Sequence, residues 1–472
     1  MNAPHPVPRS RPAPDALAAA LARLAERFGD RLSTAGAVRA QHASTLTWAA
    51  NQPPDAVVYP ETTEEVAEVV RACAERDVPV IPFGTGSSLE GHVNAPYGGI
   101  SVDTCRMDAI LAVHAEDLDC VVQPGVTRRR LNAHLRDQGL FFPIDPGADA
   151  SLGGMVATRA SGTNAVRYGT MKDNVVALTA VMPDGAIVRT ARRARKSSAG
   201  YDLTRLLVGS EGTLGIVTEI TLKLHGIPEA ISGGVCAFPS VRAACEATIL
   251  TIQSGIPVAR IELLDVAQVR ACNAYSKLSL AERPTLFVEF HGTEAGVRDE
   301  AQRFGEIAEA LGGGPFAWAT EAEERTRLWQ ARHDSYWAAM SLRPGAKGVA
   351  TDVCVPISRL ADCVEETIAD AEATGLIAPI VGHVGDGNFH VLPLVDIADP
   401  QEIVRAEAFI DRLVARALAM DGTCTGEHGV GQKKMRHLEA EHGAAALQLM
   451  RTIKRAIDPR DIMNPGKVVA PA

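Results

Sequence analysis

PFGTGSSLEG, residues 82–91, decides between two ways of holding a nucleotide. Gly84 and Gly86 have the opening spacing of a GxGxxG dinucleotide fingerprint, but Leu89 stands where the third glycine belongs. No helix pattern follows; the chain runs through VNAPYGG to another strand-like segment. No GK[ST] occurs either, which excludes the phosphate loop of NTPases. What remains is a nest. Gly84, Gly86, Ser87 and Ser88 offer backbone N–H groups and hydroxyls suited to a pyrophosphate.

Three further stretches of small residues lie in the same half of the chain. In DPGADASLGG (145–154), Ser151 opens a helix whose free N–H groups and dipole favour an anion. SGTNAVRYGT (161–170) and GSEGTLG (209–215) permit close approach of backbone to a ligand. One such loop is ordinarily a turn. Four within one unit point to a dinucleotide held in an extended groove.

Around these loops the pattern alternates between helix and strand. An Ala/Leu-rich helix over 15–28 leads to TTEEVAEVVRACA, where Thr62 and Glu65 form a capping box and Val66, Val69, Val70 and Cys73 one apolar stripe. Strands are expected at 78–81, 100–103 and 120–123, and a helix at 129–138. GIVTEITLKL alternates, with Ile216, Thr218, Ile220, Leu222 and Leu224 on one face and Val217, Glu219, Thr221 and Lys223 on the other. This gives a tail and helix over 1–50, an α+β nucleotide-binding domain over 51–226, and a second α+β unit over 227–472 entered through HGIPEAISGG. A long amphipathic helix over 401–420 lies in the second unit.

The 472 residues carry a net charge of −10 and 4% aromatics, which leaves nonspecific nucleic-acid binding without an electrostatic or stacking basis. No apolar run approaches the ~20 residues of a membrane span. Nine cysteines without a CxxC fit reduced thiols, Cys424 among them as a small buried thiol. The N-terminal MNAPHPVPRSRPAP reads as a Pro-rich disordered tail rather than a transit segment. The expected location is cytoplasmic, with peripheral contact to an inner membrane as a variant of it.

PFGTGSS, DPGADASLGGMVATRASGTNAVRYGTMKDNV, GSEGTLGIVTEITLKL, GHVGDGNFH, GTCTGEHGVG and the terminal MNPGK occur in order over about residues 50–468. Together they resemble the FAD-linked oxidoreductases of the vanillyl-alcohol-oxidase fold. Within that family, the match is to the branch of D-lactate dehydrogenases, D-2-hydroxyglutarate dehydrogenases and glycolate oxidases. The resemblance implies a two-subdomain FAD-binding domain, then an α+β substrate domain with C-terminal helices whose last segment returns to the flavin. It puts the pyrophosphate at Gly84, Thr85, Gly86, Ser87 and Ser88, with Pro82 also among the cofactor-binding residues. Pro146, Gly147, Ala148, Ser151, Gly153 and Gly154 hold the rest of the FAD, with Ser161, Gly162, Tyr168, Gly169, Glu211, Gly215, Ile216, Val217 and Asn464. His92, beside the glycine loop, does not match the spacing of a covalent linkage, so the flavin is expected to be noncovalent.

GHVGDGNFH (382–390) and TCTGEHGVGQKK (423–434) hold three imidazoles and, besides Asp386, the carboxylate of Glu427. That set suits Zn²⁺, Mn²⁺ or Fe²⁺. Gly382, Gly385 and Gly387 let a tight loop or two adjoining strands bring His383 and His390 together, with Glu427 as third ligand. His428 is left to take a proton. The resemblance implies the same assignment and adds Asn388 as a substrate contact; Asp386 reads as a turn residue. Arg332, in LWQARHD, matches the family's substrate-binding arginine, suited to a bidentate grip on a carboxylate. Lys347, before ATDVCVP, is a further substrate-binding candidate.

The expected reaction is oxidation of a D-2-hydroxy acid to the 2-oxo acid, with hydride passing to flavin N5 under metal polarisation. His428 is the base and Arg332 the positioning cation. TDVCVPISRL with GTCTGEHGVG resembles the D-lactate dehydrogenases of that branch, which implies D-lactate; D-2-hydroxyglutarate and glycolate are the alternatives. The electron acceptor is a cytochrome, a quinone or an electron-transfer flavoprotein, and a homodimer is the expected assembly. Two rivals remain: a metal-dependent hydrolase that binds a nucleotide, and a noncatalytic flavin subunit.

Overall fold

The computed structural model describes residues 10–43, 50–319 and 322–470; the expected disorder of the tail at 1–9 lies outside them. Parity and helical period account for most of what positions the site. Thr63–Ala74 is a helix whose stripe of Val66, Val69, Val70 and Cys73 is fully buried. Thr62 caps it, accepting from the Glu65 N–H at 3.2 Å. The capping box is only half formed. Glu65 reaches the N–H of Glu61 (2.8 Å) and the Arg31 guanidinium instead of returning to Thr62.

That helix packs on a four-stranded sheet in the order Leu32–Ser33, Ala56–Val58, Ile100–Asp103, Val80–Phe83, parallel over its last three strands. The C-terminal segment extends it. Val80 bonds Ile462 and Asn464 through backbone groups, so the last residues run beside the start of the 82–91 loop. A second, antiparallel sheet orders Ile110–His114, Asp119–Val122, Ile216–Lys223, Val175–Val181 and Ile187–Arg189. Ile216, Thr218, Ile220, Leu222 and Leu224 are buried as the alternation requires; Thr221, on the other face, is buried as well.

The second half centres on a seven-stranded antiparallel sheet, running Ala317–Ala319, Ala230–Ala237, Thr285–Gly292, Val258–Leu264, Ile380–Gly382, Asn388–Val391, Val353–Cys354. Its first strand by sequence starts at Ala230, so the crossing from the first half is shorter than HGIPEAISGG; His225–Gly226 still pairs with Leu140–Phe141. Ile261 and Leu263 join the core formed with the helices Val241–Gln253, Glu294–Ala310, Leu360–Thr374 and Pro400–Ala419. Side chains alternate along a strand, so Glu262 and Leu264 face the other way. Leu264 pairs with Val381 and Val381 with His390, which puts Glu262, Val381 and His390 on that same face. The chain is α+β throughout, as expected.

Candidate active site

GHVGDGNFH forms two adjoining strands, with Val381 opposite His390. The turn between them needs Gly387: its φ is +79°, and a Cβ there would lie 2.0 Å from the Val355 carbonyl oxygen. His383 and His390 therefore converge, their ring centroids 5.4 Å apart. Glu427 arrives from the second loop with Oε1 at 3.2 Å from Nε2 of each ring.

The protonation of this cluster is set from behind. His383 Nδ1 lies 2.8 Å from Glu262 Oε1, and His390 Nδ1 lies 2.9 Å from the Thr351 carbonyl, which can only accept. Each Nδ1 is thus the donor, and each ring turns Nε2 toward the Glu427 carboxylate. Burial would lower the His383 pKa, but Glu262 and Glu427 outweigh it and raise it well above its ordinary value, so without a cation Nε2 of that ring shares a proton with Glu427. A divalent cation among the three would displace that proton and take both Nε2 atoms together with the carboxylate. Glu427 Oε2 is buried without a hydrogen-bond partner among the described residues. The donor set fits a divalent cation held by two imidazoles and one carboxylate. Burial would raise the Glu427 carboxyl, but His383 and His390 outweigh it and hold it well below the carboxylate range.

His428 stacks on His390 with centroids 5.0 Å apart and planes within 8°. Its Nδ1 has no hydrogen-bond partner among the described residues, and burial lowers its pKa despite Asp352 nearby. It is a neutral imidazole beside the cluster. The loop carrying it hangs on Asp352, a fully buried carboxylate. Asp352 accepts the N–H groups of Glu427 (2.8 Å) and His428 (2.9 Å), the Thr425 hydroxyl (2.9 Å) and the Asn388 amide (2.8 Å). Burial opposes its charge, yet His428, Lys434, His390 and these bonds hold its pKa well below the usual range. Lys434 closes the group, 3.3 Å from buried Glu90.

One cavity of about 540 Å³ joins this cluster to the glycine loops, inside the ~300–1,000 Å³ range of small-molecule sites. Pro82, Gly84, Thr85, Gly86, Ser87, Ser88, Pro146, Gly147, Ala148, Gly153, Gly154, Ser161, Glu211, Gly215, Ile216, Val217 and Asn464 line it, as do Arg332, His383, His390, Glu427 and His428. Its first-half wall fits an FAD. The Ser88 hydroxyl is buried without a partner among the described residues, and a Cβ on Gly147 would meet nothing within 4 Å. The cavity wall there is mainly backbone and small side chains.

Several expected residues do other work. Ser151 does not line the cavity; its hydroxyl caps the helix Leu152–Thr158 at the Gly154 N–H. Gly162 and Gly169 are also outside the lining, and a Cβ on Gly162 would strike Asp145 at 2.5 Å. Tyr168 is turned away, its hydroxyl 2.8 Å from His291 Nδ1. Glu211 lines the cavity, but its carboxylate accepts the N–H groups of Val430 (2.6 Å) and Gly431 (2.8 Å), tying the two halves together. His92 Nε2 lies 3.1 Å from the same carboxylate.

Two residues expected to bind substrate do not line the cavity. Lys347 is exposed and outside the cavity: on the strand Lys347–Gly348 it points outward while Gly348 takes the cavity side. Asn388 is buried outside the lining, its amide spent on Asp352 and on the Val353 carbonyl, both at 2.8 Å. Arg332 does line the cavity, but Nε (2.9 Å) and Nη2 (2.5 Å) both donate to Glu262 Oε2, leaving Nη1. Glu262 and Asp352 are the site residues the sequence reading missed. Their signal was a carboxylate inside apolar strands, VARIELL and TDVCV.

The chain matches two family descriptions: FAD binding domain over residues 54–191, and FAD linked oxidases, C-terminal domain, over 227–468. It is 51% identical to a probable mitochondrial D-lactate dehydrogenase of Danio rerio, over 96% of this chain and 92% of that one. It is 49% identical to a mitochondrial D-lactate dehydrogenase [cytochrome] of Arabidopsis thaliana, over 89% and 74%. Among solved structures, p-cresol methylhydroxylase with substrate bound superposes with a TM-score of 0.80 at 17% identity, covering 98% of each chain. The 4-ethylphenol oxidase of Gulosibacter chungangensis gives 0.79 at 18%, covering 97% and 98%. These two show the fold, of the vanillyl-alcohol-oxidase type. The hydrolase rival falls, because the nucleotide half is a flavin domain. Both named relatives are mitochondrial, so they lend no support to a cytoplasmic location. Among the described residues no helix is long and apolar enough to cross a membrane.

Proposed function

The chain belongs to the family of FAD-linked oxidases, and from that premise we propose that it oxidises a D-2-hydroxy acid, D-lactate first, to the 2-oxo acid. The carrying observation is the single cavity that joins the glycine loops to His383, His390, Glu427 and His428. The 51% and 49% identical relatives named for D-lactate support the substrate. So does the wall beside the cluster. Val381, the cross-strand neighbour of His390, and Val349 and Leu392 are apolar, which suits a methyl group better than a second carboxylate.

In this reading His383, His390 and Glu427 hold a divalent cation, Zn²⁺ or Mn²⁺. When bound, FAD supplies the two-electron acceptor and the cation the Lewis acidity that eases loss of the hydroxyl proton. His428 takes that proton. Burial lowers its pKa, which leaves the ring able to accept a proton, and the ring lines the cavity beside the cluster. Arg332 Nη1 takes the substrate carboxylate and orients C2. The relatives' designation [cytochrome] supports a cytochrome as the onward acceptor, ahead of a quinone or an electron-transfer flavoprotein.

Anaerobic mixing tests the proposal. The purified protein is yellow, D-lactate bleaches it, and chelation of the metal stops the bleaching without releasing flavin. A preparation whose flavin is untouched by D-lactate while another 2-hydroxy acid reduces it moves the substrate. Unchanged bleaching after thorough metal removal ends the metal role.

A further inference from the structure

Glu262 does not itself line the cavity, yet it is hydrogen-bonded to two side chains that do, Arg332 and His383. It sits mid-strand in Val258–Leu264, fully buried, on the face it shares with Val381 and His390. One oxygen accepts His383 Nδ1 at 2.8 Å; the other accepts Arg332 Nε at 2.9 Å and Nη2 at 2.5 Å, and lies 3.0 Å from His383 Nδ1. A fully desolvated carboxylate is retained only where it is paired. Here both partners are residues that the proposed function uses. Among the described residues no other carboxylate is hydrogen-bonded to Arg332.

We propose that Glu262 is a positioning residue that couples the two: it fixes His383 as an Nδ1–H donor with Nε2 free for the metal, and it shares its charge between that ring and Arg332. This rests on the metal and substrate roles proposed above. The carboxylate behind the imidazole raises the donor strength of Nε2. The guanidinium opposes it, because charge drawn toward Arg332 is charge withdrawn from His383. A substrate carboxylate on Arg332 relaxes that pull, so metal and substrate favour each other's binding, and reciprocally so.

The signs separate this from a merely structural role. In FAD-loaded, metal-stripped protein, Mn²⁺ affinity is read from the electron paramagnetic resonance of the free ion. Glu262→Gln lowers that affinity about 10- to 100-fold and raises KM more than it lowers kcat, with flavin content unchanged. Glu262→Asp, which keeps the charge, restores part of the affinity. Arg332→Met, at a residue that is not a ligand, raises Mn²⁺ affinity, and it does so only while Glu262 is present; the double variant shows no such gain. Wild-type Mn²⁺ affinity in Glu262→Gln, or equal losses in both single variants, overturns the coupling and leaves the metal site standing. A wild-type protein that binds neither Mn²⁺ nor Zn²⁺ overturns the metal reading, and the coupling with it.

Discussion

The two walls of the cavity are built by opposite means. From residues 82–91, 145–154 and 209–217 the chain presents chiefly backbone, glycines and hydroxyls, with the Glu211 carboxylate turned away into a backbone clamp. From the second half it presents charged and titratable side chains whose partners interlock: Arg332 with Glu262, Glu262 with His383, His383 and His390 with Glu427, and Glu427 by its N–H with Asp352. The first wall recognises by shape and distributed dipoles. In the proposed function, the second does chemistry through a few groups that cannot be exchanged. Single substitutions should therefore cost much on the second wall and little on the first, except where the first wall's packing is itself violated.

The largest effect is expected at Glu427. Glu427→Gln removes the charge among three converging donors, and with it the cation. Losing several kcal/mol of polarisation corresponds to a fall of roughly 10³-fold or more in the rate of flavin reduction by D-lactate. Stopped-flow absorbance measures the rate and elemental analysis the metal; a fall of less than tenfold would make the two walls alike in kind.

Asp352→Ala comes next, with stability as its readout. The substitution leaves the N–H groups of Glu427 and His428, the Thr425 hydroxyl and the Asn388 amide without their shared carboxylate, and Lys434 without one of its ion pairs. Breaking a buried, hydrogen-bonded charge costs about 3–5 kcal/mol. A fall in Tm with loss of metal but retained flavin is the expected pattern, because the carboxylate organises only the second wall.

How legible this division was in the sequence follows from what each wall is made of. Glycine-rich stretches announce themselves, and the loops at 82–91, 145–154 and 209–215 all reach the cavity. Of the fourth, only Ser161 among the expected residues does so; Gly162, Tyr168 and Gly169 went to packing, which no spacing rule distinguishes from ligand contact. The histidine pair was readable because glycines permit a hairpin. Lys347 lies outside the cavity by parity: a one-residue offset on a strand exchanges the cavity for solvent. Asn388 lies outside it too, with its amide held by Asp352 and the Val353 carbonyl. Glu262 and Asp352 carried a signal, a carboxylate in an apolar strand, but not a role, because their partners arrive from 121 and 75 residues away through long-range pairing.

On the first wall, Gly84→Ala is the informative exception. A Cβ there would lie 2.3 Å from the Ser151 hydroxyl, the cap of the following helix. Overpacking costs about 1–3 kcal/mol, read as weaker FAD retention and a lower Tm, with metal affinity unchanged. Loss of metal from this variant would show that the walls are not independent.

Ser88→Ala is the smallest expected effect and the sharpest on the comparison. Its hydroxyl is buried and unpartnered among the described residues, so nothing within the protein holds it. If a bound pyrophosphate is its partner, removing it forfeits one hydrogen bond to a charged group, about 1.5–3 kcal/mol at most, and less where neighbouring N–H groups share the same oxygen. The equilibrium constant for FAD, from fluorescence titration of the apoprotein, should weaken by about tenfold or less, while kcat on D-lactate in saturating FAD stays within twofold. Loss of FAD binding altogether would mean that one side chain carries the first wall. The contrast between a backbone-built cradle and a side-chain-built reaction centre would then fail from its gentler side.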